Sequence, residues 1–218
     1  MILAIETSSK VCGVSLHDRD LCVAERFLEE ERVHAEKLVT LTAELLEEQQ
    51  IRIPSLQAVV VSAGPGSFTG LRIGMSFAKG LVYPHRIPLA AVNSMYAYIA
   101  SCRDLITAEE KALWLIRSHR DFVYMASYAP EFPKLRIRFG KTGEIVQSYP
   151  DCRHLISNTV PEVPLPGIRI TRRSILPSMI GNYYQQYEPG SANCDYDSLV
   201  LEYGMAYKPK EWVDGTLQ

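Results

Sequence analysis

The sequence predicts an α/β fold, in which short apolar strands alternate with amphipathic helices. The first supporting observation is the order of elements in the first half, which the residue patterns give as β-β-β-α-β-α-β-α. The second is composition, since 47% of the residues are hydrophobic and 22% are charged, as in chains that pack a core. The third is the length of 218 residues, which fits one large domain or two small ones.

Three short strands and a long helix open the predicted fold. Ile2 to Ile5 and Val11 to Leu16 are apolar runs, and Leu21 to Leu28 alternates between apolar and polar residues. These patterns predict a three-stranded meander. From Val33 to Gln50, leucines recur at helical spacing and glutamates occupy the other face, which predicts an amphipathic helix of four to five turns.

Strands and helices then alternate up to about residue 103. The patterns predict a strand over Ala58 to Ala63, a helix from about Gly70 to Tyr83, a strand over Pro88 to Val92 and a helix from Ser94 to about Arg103. The first of these strands runs directly into Gly64-Pro-Gly-Ser-Phe-Thr-Gly70. We predict Thr69 and Asn93 as the N-caps of the two helices.

The second half gives a weaker signal. Lys111 to Ile116 and Phe122 to Tyr128 are predicted strands, joined in a hairpin by Ser118-His-Arg-Asp121. Prolines and glycines punctuate residues 130 to 193, where only Ser174 to Gln186 has a helical pattern. The residues alone therefore assign few elements to this half.

Charge and cysteine content narrow the functional classes. Lys and Arg number 23 against 25 Asp and Glu, so the chain has no overall basic excess for nucleic acid, although a local patch stays possible. The five cysteines are scattered without a C-x-x-C pair, which favours a reduced, cytoplasmic compartment. No window approaches the ~18 apolar residues of a membrane span, and no signal-peptide pattern is present, so we expect a soluble protein without membrane contact.

Two polar segments have both a chemical and a structural interpretation. The glycine-rich segment Gly64 to Gly70 could face a phosphate, but it lacks the residues of a P-loop and of a nucleophile elbow, so a tight strand-to-helix turn is the favoured alternative. Glu6-Thr-Ser-Ser9 could hold a phosphate or Mg²⁺, or form a polar hairpin turn with local caps. Local evidence leaves both interpretations of that turn open.

Two helical features bear on metal binding and on association. His34 opens the first helix, but Leu38 stands one turn later, where a second metal ligand would be needed. Gly70, Gly74 and Ala78 form a small-residue stripe on the second helix. Because glycine within a helix costs about 1 kcal/mol relative to alanine, the stripe indicates a close contact, either inside the chain or with another helix.

Three segments together resemble one protein family. They are Ile2-Leu-Ala-Ile-Glu-Thr-Ser-Ser9, His34 at the start of an amphipathic helix, and Ser62-Ala-Gly-Pro-Gly-Ser-Phe-Thr-Gly-Leu-Arg-Ile-Gly74. In this combination the chain is similar to the TsaB family, also called YeaZ. The resemblance implies a two-lobed ASKHA fold, the actin-like ATPase and ribonuclease H-like architecture, with lobes at residues 1–103 and 104–218 and the last segment packing back on the first lobe.

The resemblance also implies that the protein is a subunit that does not itself catalyse a reaction. The family is the non-catalytic paralogue of TsaD, which it partners, together with the ATPase TsaE, in forming threonylcarbamoyladenosine beside the anticodon of ANN-decoding tRNAs. TsaD carries a metal-binding His pair on the first long helix, and here only His34 matches. The resemblance therefore implies a subunit that reaches tRNA only through the complex, and the unpartnered His34 predicts no metal or cofactor. We also predict a symmetric homodimer in the absence of TsaD, through the small-residue stripe and the His34 to Gln50 helix, because a surface that binds a paralogue can pair with its own copy.

The C-terminal lobe is divergent. Relatives commonly show Asp-Ala-Arg followed by Glu-Val-Tyr, where this chain has Arg117-Ser-His119 and Phe122-Val-Tyr124. A Gly-Asp-Gly turn of relatives is replaced by Ile156-Ser-Asn158. We therefore expect the partner surface on the N-terminal lobe.

Two sets of site residues follow from these interpretations. The predicted partner surface comprises residues of the first two long helices: His34, Leu38, Leu41, Leu45, Gly70, Arg72, Gly74, Phe77 and Ala78. The rival hypothesis is a nucleotide-binding phosphotransferase or ATPase that would use Glu6, Thr7, Ser8, Gly64, Gly66 and Ser67. A missing second acid disfavours the rival, because phosphoryl transfer requires Mg²⁺ held by placed carboxylates.

Overall fold

The computed structural model describes residues 1–107, 111–127, 137–161 and 164–203. It also describes the backbone of two short strands near the C-terminus. Among the described residues, none of the helices combines the length and the apolar character that a membrane span requires.

The first half of the chain builds a five-stranded mixed sheet. Its strands are β1 (Ile2–Glu6), β2 (Val11–Asp18), β3 (Leu21–Glu29), β4 (Ala58–Gly64) and β5 (Leu89–Asn93). They are arranged in the order β3-β2-β1-β4-β5. The meander β1-β2-β3 is antiparallel, whereas β4 runs parallel to both β1 and β5.

The second half repeats this topology. Its strands are β6 (Ala112–His119), β7 (Phe122–Ser127), β8 (Arg138–Lys141), β9 (His154–Ser157) and β10 (Arg169–Arg172). The order β10-β9-β6-β7-β8 again places an antiparallel meander, β6-β7-β8, beside two parallel strands. The duplicated sheet confirms the predicted α/β, ASKHA-type fold with two lobes.

Helices separate and cover the two sheets. They are α1 (His34–Glu48), α2 (Phe68–Val82), α3 (Ser94–Ser101), α4 (Thr142–Gln147) and α5 (Pro177–Tyr187). Helices α1 and α2 pack on the outer face of the first sheet, and α4 packs on the outer face of the second. Helices α3 and α5 lie between the sheets, so the molecule has five layers.

The central apolar cluster joins the two lobes. It contains Val60 from the first sheet, Trp114 from the second, Met95 from α3 and Ile180 from α5. All four side chains are fully buried. The lobes therefore share one core, although each has its own sheet.

The predicted elements of the first half agree with the structure to within a few residues. The helix predicted over Val33 to Gln50 spans His34–Glu48. Thr69 is not an N-cap, because α2 begins at Phe68 and the side chain of Ser67 accepts the N–H of Gly70. Asn93 is confirmed as the cap of α3, where its side chain accepts the N–H groups of Met95 and Tyr96.

Several elements of the second lobe carried no clear sequence signal. The hairpin of β6 and β7 is as predicted, although Tyr128, its last predicted residue, lies outside the described residues. Strands β8, β9 and β10 have only four residues each, and α4 has six. Such short elements show little periodicity. Strands β11 (Trp212–Val213) and β12 (Thr216–Leu217) pair with each other.

After α5 the chain returns to the first lobe. Asn193 exchanges backbone hydrogen bonds with Leu89 of β5, and the Tyr196 hydroxyl donates to the carbonyl of Ile87. The Glu202 N–H donates to the carbonyl of Ala63 at 2.8 Å. Residues 193–203, which we call the strap, therefore pack against the N-terminal lobe.

Candidate functional site

The turn between β1 and β2 holds a buried polar cluster. Ser8 donates to one carboxylate oxygen of Glu6 from both its N–H (2.7 Å) and its hydroxyl (2.6 Å). The Thr7 N–H donates to the hydroxyl of Ser62 on β4 at 3.1 Å. Glu6, Thr7, Ser8 and Ser62 are all fully buried. The Glu6 to Ser9 turn is thus held by hydrogen bonds among its own residues and by one to β4.

The Glu6 carboxyl is the main electrostatic feature of this turn. Burial raises its pKa to about 7, while hydrogen bonds from Ser8 act in the opposite direction. Its second oxygen, Oε2, and the Thr7 hydroxyl are buried without a hydrogen-bond partner in the described structure. Near neutral pH, Glu6 is therefore divided between its protonated and ionised forms.

The glycine-rich segment and α2 press against this same turn. The Ser67 N–H donates to the Ser8 carbonyl at 2.7 Å. A Cβ atom added to Gly66 would overlap Ser8, and one added to Gly70 would overlap the Thr7 carbonyl. At Gly74 it would overlap the Thr7 hydroxyl. The glycines therefore permit a close approach within the chain.

This packing corrects the predicted role of the small-residue stripe. Of the two contacts that the stripe predicts, the structure shows the one inside the chain, since Gly70 and Gly74 contact Thr7 and Ala78 joins the apolar core. These three residues therefore do not form part of an exposed partner surface. Steric need inside the chain fully accounts for the two glycines. A partner cannot contact them without displacing the β1–β2 turn.

The predicted nucleotide-binding residues are also enclosed. Glu6, Thr7, Ser8, Gly64 and Gly66 are buried by the protein itself. Ser67 is half-buried, and its hydroxyl caps α2. The structure thus brings these residues together, but the turn and the glycine segment pack directly on each other.

The buried His34 side chain lies against backbone carbonyl groups of the β1–β2 turn. Its Nε2 atom lies 3.0 Å from the Ser9 carbonyl and 3.2 Å from the Val11 carbonyl, so an N–H there would donate to both. Burial lowers the pKa of His34, despite these hydrogen bonds. Within the described ranges, no group of three or more His, Cys, Asp or Glu side chains could hold a metal ion.

The leucines of α1 also point inward, contrary to the predicted interface. Leu38, Leu41 and Leu45 pack in the core under the first sheet and are 1%, 8% and 1% exposed. His34 is buried as well. Of the nine predicted interface residues, Arg72 is exposed and Phe77 is half-buried, whereas the other seven lie inside the molecule.

The outward faces of α1 and α2 contain small residues that the predicted partner surface does not include. Ala35, Val39 and Ala43 follow one another at four-residue spacing on the exposed face of α1, where Val39 is 58% exposed. The exposed face of α2 carries Ser76 and Gly80 after Arg72. The two helices pack side by side. A search for small residues opposite the leucine stripe would have found this face.

Gly80 differs from the other glycines of α2. A Cβ atom added there would meet nothing within 4 Å. Glycine in a helix costs about 1 kcal/mol relative to alanine, and no contact in the described structure offsets that cost at this position. Gly80 thus leaves open space at the surface of α2.

The strap lies along α2 and over the glycine segment. Arg72 donates to the Tyr203 hydroxyl at 3.1 Å, and its guanidinium lies 4.0 Å from the centre of the Phe68 ring. Gly64 has a φ of 111°, and a Cβ there would overlap the Glu202 carbonyl. Because Gly64 has no side chain, the strap can pack directly against its backbone.

The chain is similar in sequence to proteins of tRNA threonylcarbamoyladenosine biosynthesis. The model of the family TsaD, tRNA N6-adenosine threonylcarbamoyltransferase, matches residues 26–141, more than half of the chain. The tRNA threonylcarbamoyladenosine biosynthesis protein TsaB of Bacillus subtilis is 35% identical over 102 residues, 47% of this chain and 44% of that protein. TsaB of Haemophilus influenzae is 28% identical over 64% of this chain and 58% of its own length.

Solved structures share the whole architecture. YeaZ from Pseudomonas aeruginosa superposes with a TM-score of 0.69 at 21% identity, covering 93% of this chain and 98% of that one. At this identity the likeness establishes the fold alone. The matches to the curated relatives above cover about half of their length.

Proposed function

Because the chain belongs to the TsaB (YeaZ) family, we propose that it acts in the biosynthesis of threonylcarbamoyladenosine in tRNA as a non-catalytic subunit that binds TsaD. In this role TsaD performs the transfer of the threonylcarbamoyl group, and a TsaE homologue supplies the ATPase. The name of the B. subtilis relative supports the pathway. The subunit role rests on the geometry of the N-terminal lobe.

The observation that supports this proposal is that the side chains able to do chemistry, those of Glu6, Ser8 and His34, make hydrogen bonds inside the protein. Glu6 and Ser8 bond to each other, and His34 lies between two carbonyls of the adjacent turn. The glycine segment fills the space in front of that turn. These groups hold the first lobe together, which suits a protein that supports chemistry carried out by another chain.

The surface proposed to bind TsaD is the joint outward face of α1 and α2. It includes the exposed residues Ala35, Val39 and Ala43 of α1 and Ser76 and Gly80 of α2, and the two helices pack against each other. Small side chains let the backbone of a partner helix approach closely, and Gly80 offers the closest approach because nothing occupies its Cβ position. In the absence of TsaD, the same face would pair with a second copy in an isologous dimer.

Binding of purified TsaD, measured by light scattering of the mixture, tests the proposal. Gly80→Arg places a long side chain at the proposed contact, while arginine is a better helix former than glycine. We expect this variant to lose the complex without losing its fold. Gly143→Arg is the matched control, because Gly143 of α4 also has open space around its Cβ position but lies on the other lobe.

Complex formation by Gly143→Arg but not by Gly80→Arg supports the proposed face. Equal binding by both variants would place the TsaD contact elsewhere. Failure of the unmodified chain to bind TsaD at all would overturn the proposed function.

A further inference from the structure

Four aromatic rings form a continuous platform on β6, β7 and β8. The rings of His119 and Phe122 lie 5.2 Å apart, with an angle of 15° between their planes. The centroids of the Phe122 and Phe139 rings lie 5.3 Å apart, with 16° between the ring planes, and the centroids of the Tyr124 and Phe139 rings lie 5.0 Å apart. The His119 and Phe139 ring centroids lie 6.3 Å apart, with 29° between the ring planes, so His119, Phe122 and Phe139 stack on one another as a cluster.

The platform leads from the core to the solvent. Tyr124 is buried in the central apolar cluster, Phe122 and Phe139 are half-buried, and His119 is exposed at the β6–β7 turn. The Ser118 hydroxyl lies 3.1 Å from Nδ1 of His119 and so helps to fix the ring.

Two exposed cations, Arg120 and Lys141, neighbour these rings along the chain or across the sheet. Arg120 lies in the hairpin turn, and Lys141 is the register partner of Phe122, so that it shares a face with that ring. Both are exposed. Residues 112–127 and 137–141 contain four Lys or Arg side chains and one acid, Asp121, whereas the whole chain has a net charge of -2. The positive charge is therefore local to this hairpin.

The opposite lobe contributes one acidic neighbour. Glu31 lies close enough to Arg117 for the cation to lower its pKa, although Lys10 is the larger influence. Arg117 is thus engaged across the lobes. Arg120 and Lys141 are the cations that the platform presents to the solvent.

We infer that His119, Phe122 and Phe139 form a stacking surface for unpaired bases of RNA, with Arg120 and Lys141 contacting the phosphates. Aromatic side chains stack on any base, and cations beside them follow the backbone. Single-stranded loops are the part of RNA whose bases can reach such a surface. The choice of a tRNA anticodon loop as ligand rests on the proposed function, and it gives the C-terminal lobe a direct contact with tRNA.

The test uses the intact chain without TsaD. The probe is a fluorescein-labelled anticodon stem-loop RNA of an ANN-decoding tRNA, and fluorescence anisotropy measures its affinity. We expect Phe122→Leu to weaken binding about ten-fold, because leucine keeps the apolar contact but lacks a stacking face. His119→Ala, at an exposed position, provides a second variant that leaves the core untouched. Phe27→Leu is the matched control, since Phe27 is 41% exposed on the other sheet.

Lys141→Gln tests the phosphate contact. This variant should bind the RNA more weakly, and the slope of log affinity against log salt concentration should fall by about 1, the amount expected for the loss of one phosphate contact. Unchanged affinity and an unchanged salt slope for this variant would remove Lys141 from the contact.

Some outcomes would overturn the inference. One is that the unmodified chain does not bind the stem-loop RNA, and another is that Phe122→Leu and His119→Ala both leave the affinity unchanged. A third is that Phe27→Leu weakens binding as much as Phe122→Leu does. The last is that the chain binds a fully paired RNA duplex with the same affinity, which would indicate a general attraction to polyanions. Support of tRNA modification without platform-dependent RNA binding would refute this inference alone. Platform-dependent RNA binding without TsaD binding would refute the proposed function alone.

Discussion

Gly74 and Gly80 lie on the same helix but meet different surroundings. Gly74 faces the Thr7 hydroxyl of its own chain, whereas Gly80 faces open space. Sequence alone cannot separate these cases, because both glycines interrupt the same helical pattern. The position of the β1–β2 turn decides that Gly74 serves folding and leaves Gly80 as a candidate for contact with a partner.

The pair predicts stability changes of opposite sign. Gly80→Ala should raise the free energy of unfolding by up to about 1 kcal/mol, because alanine favours the helix and meets no obstacle. Gly74→Ala should lower it by ~1–3 kcal/mol through overpacking against Thr7. Urea unfolding of the two variants measures both. Equal stability of the variants would contradict the assignment of Gly74 to the interior.

Glu6 predicts a pH dependence. Its pKa is about 7 in the folded protein, against an ordinary value of 4.5, so between these values the folded state holds more protons than the unfolded state. The free energy of unfolding contributed by this group therefore falls as the pH rises through that range. Glu6→Gln removes the charge, while its amide oxygen can still accept the bonds from Ser8.

We expect the stability of Glu6→Gln relative to the unmodified protein to increase by roughly 3 kcal/mol at most between about pH 5 and about pH 8. Urea unfolding at the two pH values measures the difference. A difference that is constant with pH would show that Glu6 does not titrate in this range.

At the scale of elements, the sequence predicted long periodic segments well. Leu38 and Leu45 mark α1 through their spacing, and Val59 to Val61 mark a buried strand. Four-residue strands such as β9 contain too few positions for a period to appear. The partner face was misassigned because a leucine stripe indicates which side of a helix is buried, and the structure shows that the first sheet already covers that side.

The strap is an element whose position no local pattern could predict, since its contacts join residues more than a hundred positions apart. Gly64→Ala should disturb it, because a side chain at a φ of 111° is strained and its Cβ would overlap Glu202. We expect faster cleavage of residues 193–203 in limited proteolysis and a lower melting temperature. Gly80→Ala is the control. Unchanged cleavage would show that Gly64 does not hold the strap.

At the scale of the whole molecule, the shared central cluster couples the lobes. Helix α5, from the second half of the chain, packs between the sheets, and the strap then binds the first lobe. Neither lobe can therefore bury its inner face without the other. This arrangement holds the proposed TsaD surface and the aromatic platform in a fixed relation on one body.

The coupling predicts a single unfolding transition. Ile180→Ala, in the centre of the shared core, should cost about 2–5 kcal/mol and shift the whole transition. Calorimetry tests this through agreement between the calorimetric and van't Hoff enthalpies. Two separate transitions, with only one of them moved by the substitution, would show that the lobes unfold independently.

We propose that this chain supports tRNA modification through the outward face of α1 and α2, while TsaD supplies the catalytic groups. The most direct test is the yield of threonylcarbamoyladenosine in a reaction reconstituted with TsaD, TsaE, tRNA and the precursor of the transferred group. We expect full yield with the unmodified chain, with Gly143→Arg and with Glu6→Gln, and loss of yield with Gly80→Arg. Full yield with Gly80→Arg, or loss of yield with Glu6→Gln while the fold and TsaD binding persist, would contradict the account.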